Sequence, residues 1–305
     1  MLNFILNPVS SSSSGESVWA VARRILNQRC IDYKVHVTEY PGHASELARR
    51  ISTSDPFAQI IVVGGDGSLH EVLNGLQNLN TITLGLLPAG SGNDFARGMG
   101  ISKNTATALT AILEKKHIVA MDIGLIGTKT HSQRFCVSAG MGFDASVCHA
   151  FESSGIKKKL NNFKLGSLAY SLLAVQQSFT FDPCTVRVTT DGGREFSFPK
   201  VMFAAIMNQK FEGGGCMMAP HADPCDGVLD IFVVTGLPKP AMLAALPLTK
   251  IGAHTKVPGA HFLKCKKAVI QSKNPLPVHL DGESGGVQKC ISVGLENEKL
   301  HVITG

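Results

Sequence analysis

The stretch IIVVGGDGSLHEVLNGL, from Ile60 to Leu76, predicts a strand, a tight turn and a helix. Four β-branched apolar residues, Ile60 to Val63, are typical of a strand buried on both faces of a parallel sheet. Apolar residues recur from Leu69 to Leu76 at the spacing of one helix face, so we expect the helix to begin near Ser68, with Ser68 as its N-cap. The pattern favours an α/β domain.

Three glycines lie in the turn, at Gly64, Gly65 and Gly67. We expect them to take positive φ and to leave room for a bulky anion beside the main chain, where the N–H groups and dipole of a helix start favour negative charge. The turn therefore predicts a phosphate site. The alternative is a plain strand-to-helix turn, because the glycines match neither the P-loop nor the G-x-G-x-x-G template.

A second glycine turn follows in the run TLGLLPAGSGNDFARGMG, from Thr83 to Gly100. An apolar strand again leads into glycines, and the polar pair Asn93-Asp94 opens a short helix. Because parallel strands end at the same edge of a sheet, we expect the two turns to face one ligand.

The two turns resemble the catalytic region of the diacylglycerol kinase superfamily, in the branch of bacterial soluble lipid kinases that is related to sphingosine kinases and, distantly, to NAD kinases. The resemblance covers nearly the whole chain. Four later blocks support it, at Asp122–Gly124 (DIG), Gly140–Ala145 (GMGFDA), Asn208–Asp230 and Asp281–Glu283 (DGE).

The resemblance implies two domains: an α/β Rossmann-like domain and then a β-rich, sandwich-like domain. Strand–helix alternation stops near residue 125 and mainly strands follow, so we place a nucleotide-binding domain at 1–125 and a lipid or substrate domain at 126–289. The resemblance also predicts that the tail, residues 290–305, rejoins the first domain. Residues 288–293 and 299–303 are expected to form a closing hairpin.

Composition sets broad limits on the partners. The 305 residues are 44% hydrophobic and 17% charged, which suits a well-cored protein, and the net charge of +6 favours a polyanionic partner without choosing one. The eight cysteines form no C-x-x-C pair, which argues against a zinc ribbon. No apolar run approaches the ~20 residues of a membrane helix, so we expect a cytoplasmic protein.

The expected nucleotide-binding residues follow three strand ends: Asn7, Gly64, Gly65, Asp66, Gly67, Ser68, Gly90, Ser91, Gly92, Asn93 and Asp94. A carboxylate at Asp66 would repel ATP unless a divalent cation stood between them, so we expect Mg²⁺ and assign Asp66 a catalytic role. The alternatives are that Asp66 caps the helix or braces the turn and that Asn93 and Asp94 only cap a helix. The family has glycines at Ser10–Ser14, so the first loop is expected to differ in shape.

A structural Mg²⁺ site is implied by resemblance in the loop Asp223-Pro224-Cys225-Asp226-Gly227-Val228. Its ligands would be Asp223, Asp226 and the carbonyl oxygen of Val228, in communication with Asp122. The spacing alone favours the alternative of an acidic turn.

The segment Asp281-Gly282-Glu283 follows a strand and is catalytic in the resembled family. We expect Asp281 to take the proton of the acceptor hydroxyl and Glu283 to help hold the metal. The alternative is a simple β-turn.

The function implied is an ATP- and Mg²⁺-dependent kinase that phosphorylates a lipid hydroxyl, with diacylglycerol as the leading acceptor. Lysines at 157–159, 164, 264, 266 and 267 are either a solvated face or a contact with the inner membrane face. No nucleic-acid partner is expected, and a homodimer stays open. Two alternatives remain: an NAD kinase-like enzyme and a non-catalytic lipid-binding or regulatory relative.

Overall fold

The computed structural model describes residues 1–11, 14–127, 132–153 and 180–305, with only the backbone described at 151–153 and 239. It divides into two compact units. One comprises Met1–Ile123 together with Asn297–Gly305, and the other comprises Gly124–Glu296. The helix expected at 165–179 and the lysines at 157–159 and 164 lie outside the described residues.

The first unit alternates strands and helices. In chain order they are β1 (Leu2–Leu6), α1 (Ser14–Gln28), β2 (Tyr33–Val37), α2 (His43–Ser54), β3 (Gln59–Gly64), α3 (Asp66–Gly75), β4 (Thr83–Pro88), α4 (Asp94–Gly98), α5 (Thr105–Glu114) and β5 (His117–Met121), with β17 (Leu300–Thr304) from the end of the chain.

These strands form one sheet in the order β2-β1-β3-β4-β17-β5. The first five are parallel to their neighbours, and β5 is antiparallel to β17. Ile60 to Val63 of β3 are fully buried, which explains the uninterrupted β-branched run. The carboxyl ends of β1, β3 and β4 lie side by side at one edge of the sheet, so the loops that follow them are neighbours.

The chain end returns to this sheet later than expected. Strand β17 lies between β4 and β5, whereas residues 290–295 belong to a strand of the second unit. The expected hairpin of 288–293 with 299–303 is therefore wrong. Burial of Ile291 and Val293 in the core of the second unit holds that segment there.

The second unit consists mainly of strands. In chain order it contains β6 (Gly124–Gly127), β7 (Ser132–Phe135), β8 (Ser138–Gly142), α6 (Phe143–Ser153), β9 (Cys184–Thr190), β10 (Glu195–Met207), β11 (Phe211–Glu212), β12 (Cys216–Met217), β13 (Leu229–Thr235), α7 (Lys239–Ala245), β14 (Ala260–Cys265), β15 (Lys267–Leu280) and β16 (Glu283–Leu295). Short 3₁₀ turns lie at Asp191–Gly193, Leu246–Ile251 and Ala253–Lys256, and one lies at Leu79–Thr81 in the first unit.

Nine of these strands form an antiparallel sheet in the order β14-β13-β10-β8-β15-β16-β6-β7, with β9 paired to β10 and β15. Strands β11 and β12 make a separate small hairpin. The expected fold class, an α/β domain with a parallel sheet followed by a β-rich domain, is confirmed. Among the described helices, none has the length and apolar content needed to cross a membrane.

Candidate active site

The two glycine turns of the first unit are in direct contact. A Cβ added to Gly65 would lie 2.8 Å from the Cα of Gly90, and one added to Gly90 would lie 2.5 Å from the Cα of Gly65. Gly64, Gly65 and Gly67 do not have positive φ, so the positive φ expected for the first turn was wrong, and Gly90 and Gly92 of the second turn do not have it either. Glycine is required at Gly65 and Gly90 because the two backbones approach too closely for any side chain.

Asn93 closes the second turn upon itself. Its Nδ2 donates to the carbonyl oxygen of Gly90 at 2.7 Å, and its Oδ1 accepts from the N–H of Gly90 at 3.0 Å. Its backbone is left-handed, with φ 52°, a conformation that asparagine tolerates better than most residues. The side chain of Asn93 therefore builds the turn.

Asp66 connects the two turns. Its carboxylate accepts hydrogen bonds from the backbone N–H groups of Asp94 and Phe95, each at 3.1 Å, and so caps the start of α4. Helix α3 begins at Asp66 itself, with Gly65 as its N-cap, which corrects the expected start and cap at Ser68. The bracing alternative for Asp66 thus has direct structural support.

Asp94 is buried and pairs with Arg97 one turn later. Nη2 of Arg97 also donates to the carbonyl oxygen of Gly92 at 3.2 Å. Arg97 therefore places a positive charge against the second glycine turn. Sequence reasoning missed it, although its i, i+3 spacing from Asp94 was a usable signal.

The loop after β1 packs against both glycine turns. Nδ2 of Asn7 donates to Oγ of Ser68 at 2.8 Å, and Oγ of Ser10 donates to the carbonyl oxygen of Ala89 at 3.1 Å. Oδ1 of Asn7 is buried and has no hydrogen-bond partner within the described residues. Ser11 has a left-handed backbone, with φ 42°, at a position where serine is less favourable than glycine.

Three loops therefore meet at the carboxyl edge of the parallel sheet. The first-turn N–H groups of α3 have no intrahelical acceptors, and the helix dipole makes this point favourable for negative charge. The closely packed glycine backbones leave no side chains to hinder a large anion there. The arrangement is chemically suited to binding a polyphosphate.

Asp122 lies at the end of the first unit's main segment. It is buried, and its Oδ1 lies 2.9 Å from Nζ of Lys299, the residue before β17. Since a buried carboxylate needs a partner, Lys299 supplies the compensating charge. The sequence analysis did not identify Lys299, which is distant in the chain.

The carboxylates of the acidic loop in the second unit accept hydrogen bonds from the loop's own backbone. Oδ1 of Asp223 accepts from the N–H of Cys225 at 2.9 Å, and Oδ1 of Asp226 accepts from the N–H of Val228 at 3.1 Å. Nζ of Lys264 lies 3.3 Å from Oδ2 of Asp226 and 3.4 Å from Oδ2 of Asp230. These contacts have the form of the acidic turn that spacing favoured; the metal role of the loop stays a prediction.

Asp281 is held by the backbone of the preceding strands. Its carboxylate accepts from the N–H groups of Cys136 at 3.1 Å, Val137 at 2.8 Å and Ser138 at 3.2 Å, and its own N–H donates to the carbonyl oxygen of Ser138 at 2.8 Å. The carboxylate thus fastens the β7–β8 connection to the end of β15.

Glu283 begins β16 and is partly exposed. Its carboxylate has no hydrogen bond or ion pair with any residue that the structure describes. It therefore differs from Asp281, whose oxygens already receive three backbone N–H groups. Of the two carboxylates, Glu283 retains the greater capacity to accept a proton from a substrate.

Comparisons with known families match both units. Residues 1–126 match the diacylglycerol kinase catalytic domain, and residues 137–303 match the YegS C-terminal NAD kinase beta sandwich-like domain. The chain is 35% identical over 289 residues to YtlR of Bacillus subtilis (strain 168), provisionally named a lipid kinase, and the match covers 93% of each chain.

Two further proteins are similar over nearly the full length. A diacylglycerol kinase of Bacillus subtilis (strain 168) is 26% identical over 300 residues, covering 98% of this chain and 94% of its own. The crystal structure of a provisionally named diacylglycerol kinase from Bacillus anthracis str. Sterne superposes with a TM-score of 0.76 at 24% identity, covering 100% of this chain and 95% of that one. The structural likeness shows the fold alone.

Proposed function

Because the chain belongs to the diacylglycerol kinase catalytic-domain family and carries the YegS-type C-terminal domain, we propose that it transfers the γ-phosphoryl group of ATP to the hydroxyl of a lipid. Diacylglycerol is the leading acceptor, since a similar full-length protein is named diacylglycerol kinase. The observation that carries the proposal is the convergence of three loops at the carboxyl edge of the parallel sheet, where Gly65 and Gly90 touch.

The nucleotide role is assigned to the first unit. Phosphates would lie at the start of α3, with the hydroxyl of Ser68, which Nδ2 of Asn7 holds in place, as a donor beside them. Arg97, held by contacts with Asp94 and Gly92, places a positive charge near the second turn, where it would attract phosphate. Phosphoryl transfer depends mainly on such positioning and charge neutralisation.

Mg²⁺ fits the same site. A protein-bound Mg²⁺ usually keeps several waters and is held by one or two carboxylates together with substrate phosphates. Both oxygens of Asp66 are aligned by backbone N–H groups of the second turn, so the carboxylate is held in place between the two turns and is suited to hold the hydrated ion. When bound, the ion would neutralise charge on the phosphates.

The acceptor chemistry is assigned to Glu283 and Asp281 in new roles. Glu283 takes the proton of the lipid hydroxyl, because its carboxylate is not engaged within the described residues. Asp281 positions this turn, because its carboxylate is fixed by the N–H groups of residues 136–138. The sequence predicted other roles, with Asp281 as the base and Glu283 helping to hold the metal.

A membrane-surface substrate needs an enzyme that reaches the bilayer. Lys266 and Lys267 are exposed at the start of β15 and could each contribute about 1 kcal/mol of attraction to anionic headgroups. Lys264 is already engaged with Asp226 and Asp230. We therefore propose that the protein is cytoplasmic and binds peripherally to the inner face of the membrane.

The test is a phosphorylation assay with radiolabelled ATP, Mg²⁺ and three acceptors: diacylglycerol in mixed micelles, total lipid extract and NAD. We expect label in a chloroform-soluble product, with diacylglycerol sufficient as acceptor. Glu283→Gln, purified in parallel, should give no product above background and controls for contaminating kinases. Label in NADP alone would establish the NAD kinase alternative, and no product with any acceptor would favour a non-catalytic relative.

A further inference from the structure

Three ionisable side chains from separate elements meet inside the second unit. Asp144 lies in the first turn of α6, Glu212 in β11 and His279 in β15. Nε2 of His279 is 3.3 Å from Oδ2 of Asp144 and 3.2 Å from Oε1 of Glu212. Within the described residues, this is the one group of three such ligand atoms lying within 4.8 Å of one another.

The separations are those of ligands around a small metal ion. A tetrahedral ion with bonds of about 2.0–2.1 Å to nitrogen and oxygen spaces its ligand atoms by about 3.3 Å. Both measured distances from the imidazole nitrogen agree with that edge length. The three atoms thus lie where they could bind one ion with little movement.

Burial makes the group costly without a compensating cation. The side chain of His279 is fully buried, and those of Asp144 and Glu212 are only 10% and 14% exposed. Oε2 of Glu212 is buried without a hydrogen-bond partner in the described part of the chain. A single imidazole proton cannot neutralise two carboxylates, whereas a divalent cation beside a neutral histidine can.

Two carboxylate oxygens, Oδ2 of Asp144 and Oε1 of Glu212, face Nε2 of His279, so the geometry favours a positive charge at this point. Nδ1 of His279 is buried and has no acceptor among the described residues. The imidazole is therefore placed by its Nε2 contacts alone.

The surroundings hold the ligand atoms in place. Oδ1 of Asp144 accepts from the N–H of Ala145 at 2.7 Å, which orients the other oxygen towards His279. A Cβ on Gly140 would lie 2.1 Å from Oδ2 of Asp144 and 2.3 Å from Nε2 of His279, so only glycine leaves them room. Gly140 does not have positive φ, so this space is the reason for glycine there.

We propose that Asp144, Glu212 and His279 bind a divalent transition-metal ion of the Zn²⁺ class. A nitrogen donor with two carboxylates suits zinc, whereas Mg²⁺ prefers oxygen ligands in octahedral geometry. Cys148 lies one helical turn after Asp144 and adds a soft donor nearby. The ion would join α6, β11 and β15, and so stabilise the second unit.

The test is metal binding by the full chain after removal of bound ions with EDTA. Zn²⁺ is titrated by calorimetry, and Co²⁺ is added as a spectroscopic probe whose visible absorption reports tetrahedral coordination. We expect one Zn²⁺ per chain, a raised melting temperature, and no displacement by excess Mg²⁺. Loss of an outer-shell partner weakens metal sites about 10- to 100-fold, so Glu212→Gln, which changes a ligand, should weaken Zn²⁺ binding about 100-fold or more.

The matched control is Asp226→Asn, which alters the acidic turn of the same unit and should leave the Zn²⁺ affinity unchanged. Circular dichroism establishes that each variant is folded, and Asp144→Asn replaces Glu212→Gln if the latter does not fold. The proposal is overturned if the chain binds no stoichiometric Zn²⁺, if the ligand variant binds it as tightly as the parent, or if Asp226→Asn removes the ion.

Discussion

Ser11 shows how one residue in the first loop stores backbone strain. Its φ of 42° lies in the left-handed region, which costs a non-glycine residue about 1–2 kcal/mol. Ser11→Gly removes that cost but adds freedom to the unfolded chain, worth about 0.4–1 kcal/mol. We expect a net gain on the order of 0.5 kcal/mol, measured as a higher denaturation midpoint.

Ser10→Gly is the matched control in the same loop. Its hydroxyl donates to Ala89 and its φ is not positive, so the substitution should lower stability. If Ser11→Gly lowers the denaturation midpoint as much as Ser10→Gly does, the left-handed backbone of Ser11 carries no strain that glycine relieves.

Asp281 and Glu283 should respond differently to loss of charge. Asp281→Asn keeps one oxygen that can accept from the N–H groups of residues 136–138. It loses the charge that strengthens these hydrogen bonds, and its NH₂ group faces the N–H of Cys136 where Oδ2 accepted, at a cost of about 1–3 kcal/mol. We expect its melting temperature to fall clearly. Glu283→Gln should melt like the parent but lose about 10²- to 10⁴-fold in kcat with unchanged ATP affinity. A normal kcat for Glu283→Gln would place the base elsewhere.

At the scale of elements, Asp66 connects two helices: it is the first residue of α3, and its carboxylate accepts hydrogen bonds from the start of α4. Asp66→Asn leaves one carboxamide oxygen where two carboxylate oxygens accepted from Asp94 and Phe95. Loss of a helix cap costs typically about 1 kcal/mol, so we expect that loss of stability together with weaker Mg-ATP binding. Calorimetry and thermal melting on the same samples would show both. An Asp66→Asn protein with weakened ATP binding but unaltered stability would restrict Asp66 to a ligand role.

The sequence predicted elements whose signals are local. Ile60 to Val63 gave a buried strand, and the two glycine turns correctly indicated neighbouring loops at one sheet edge. It did not predict that Asp281 binds the N–H of Cys136, 145 residues earlier, or that Asp66 caps a helix 28 residues later. Polar contacts between distant segments leave no periodic pattern, so chemical type alone suggested catalysis where the structure shows bracing.

At the scale of the whole molecule, the last nine residues belong to the first unit and contribute a strand to its sheet. Strand β17 lies between β4 and β5, and its Leu300, Val302 and Ile303 are buried. Deleting residues 297–305 removes an interior strand and exposes two unpaired edges, so we expect loss of cooperative unfolding of the first unit and aggregation. Removing Gly305 alone should have no effect. A soluble, cooperatively melting 1–296 chain would show that the returning strand is dispensable.

If the contact between the two glycine turns forms the Mg-ATP site, Gly65→Ala should weaken the binding of ATP. Its new Cβ would lie 2.8 Å from the Cα of Gly90 and would force the turns apart. Gly192→Ala is the control in the second unit: its added Cβ meets nothing within 4 Å, but its φ of 73° strains an alanine, so it controls for loss of stability from a glycine-to-alanine change.

The measurement is a calorimetric titration with Mg-ATP of the parent and both variants, each first shown to be folded. We expect one ATP per parent chain, unchanged affinity in Gly192→Ala, and an affinity lowered at least about tenfold, or about 1.4 kcal/mol, in Gly65→Ala. Equal affinity in the parent and Gly65→Ala, or no ATP binding by the parent, would contradict it.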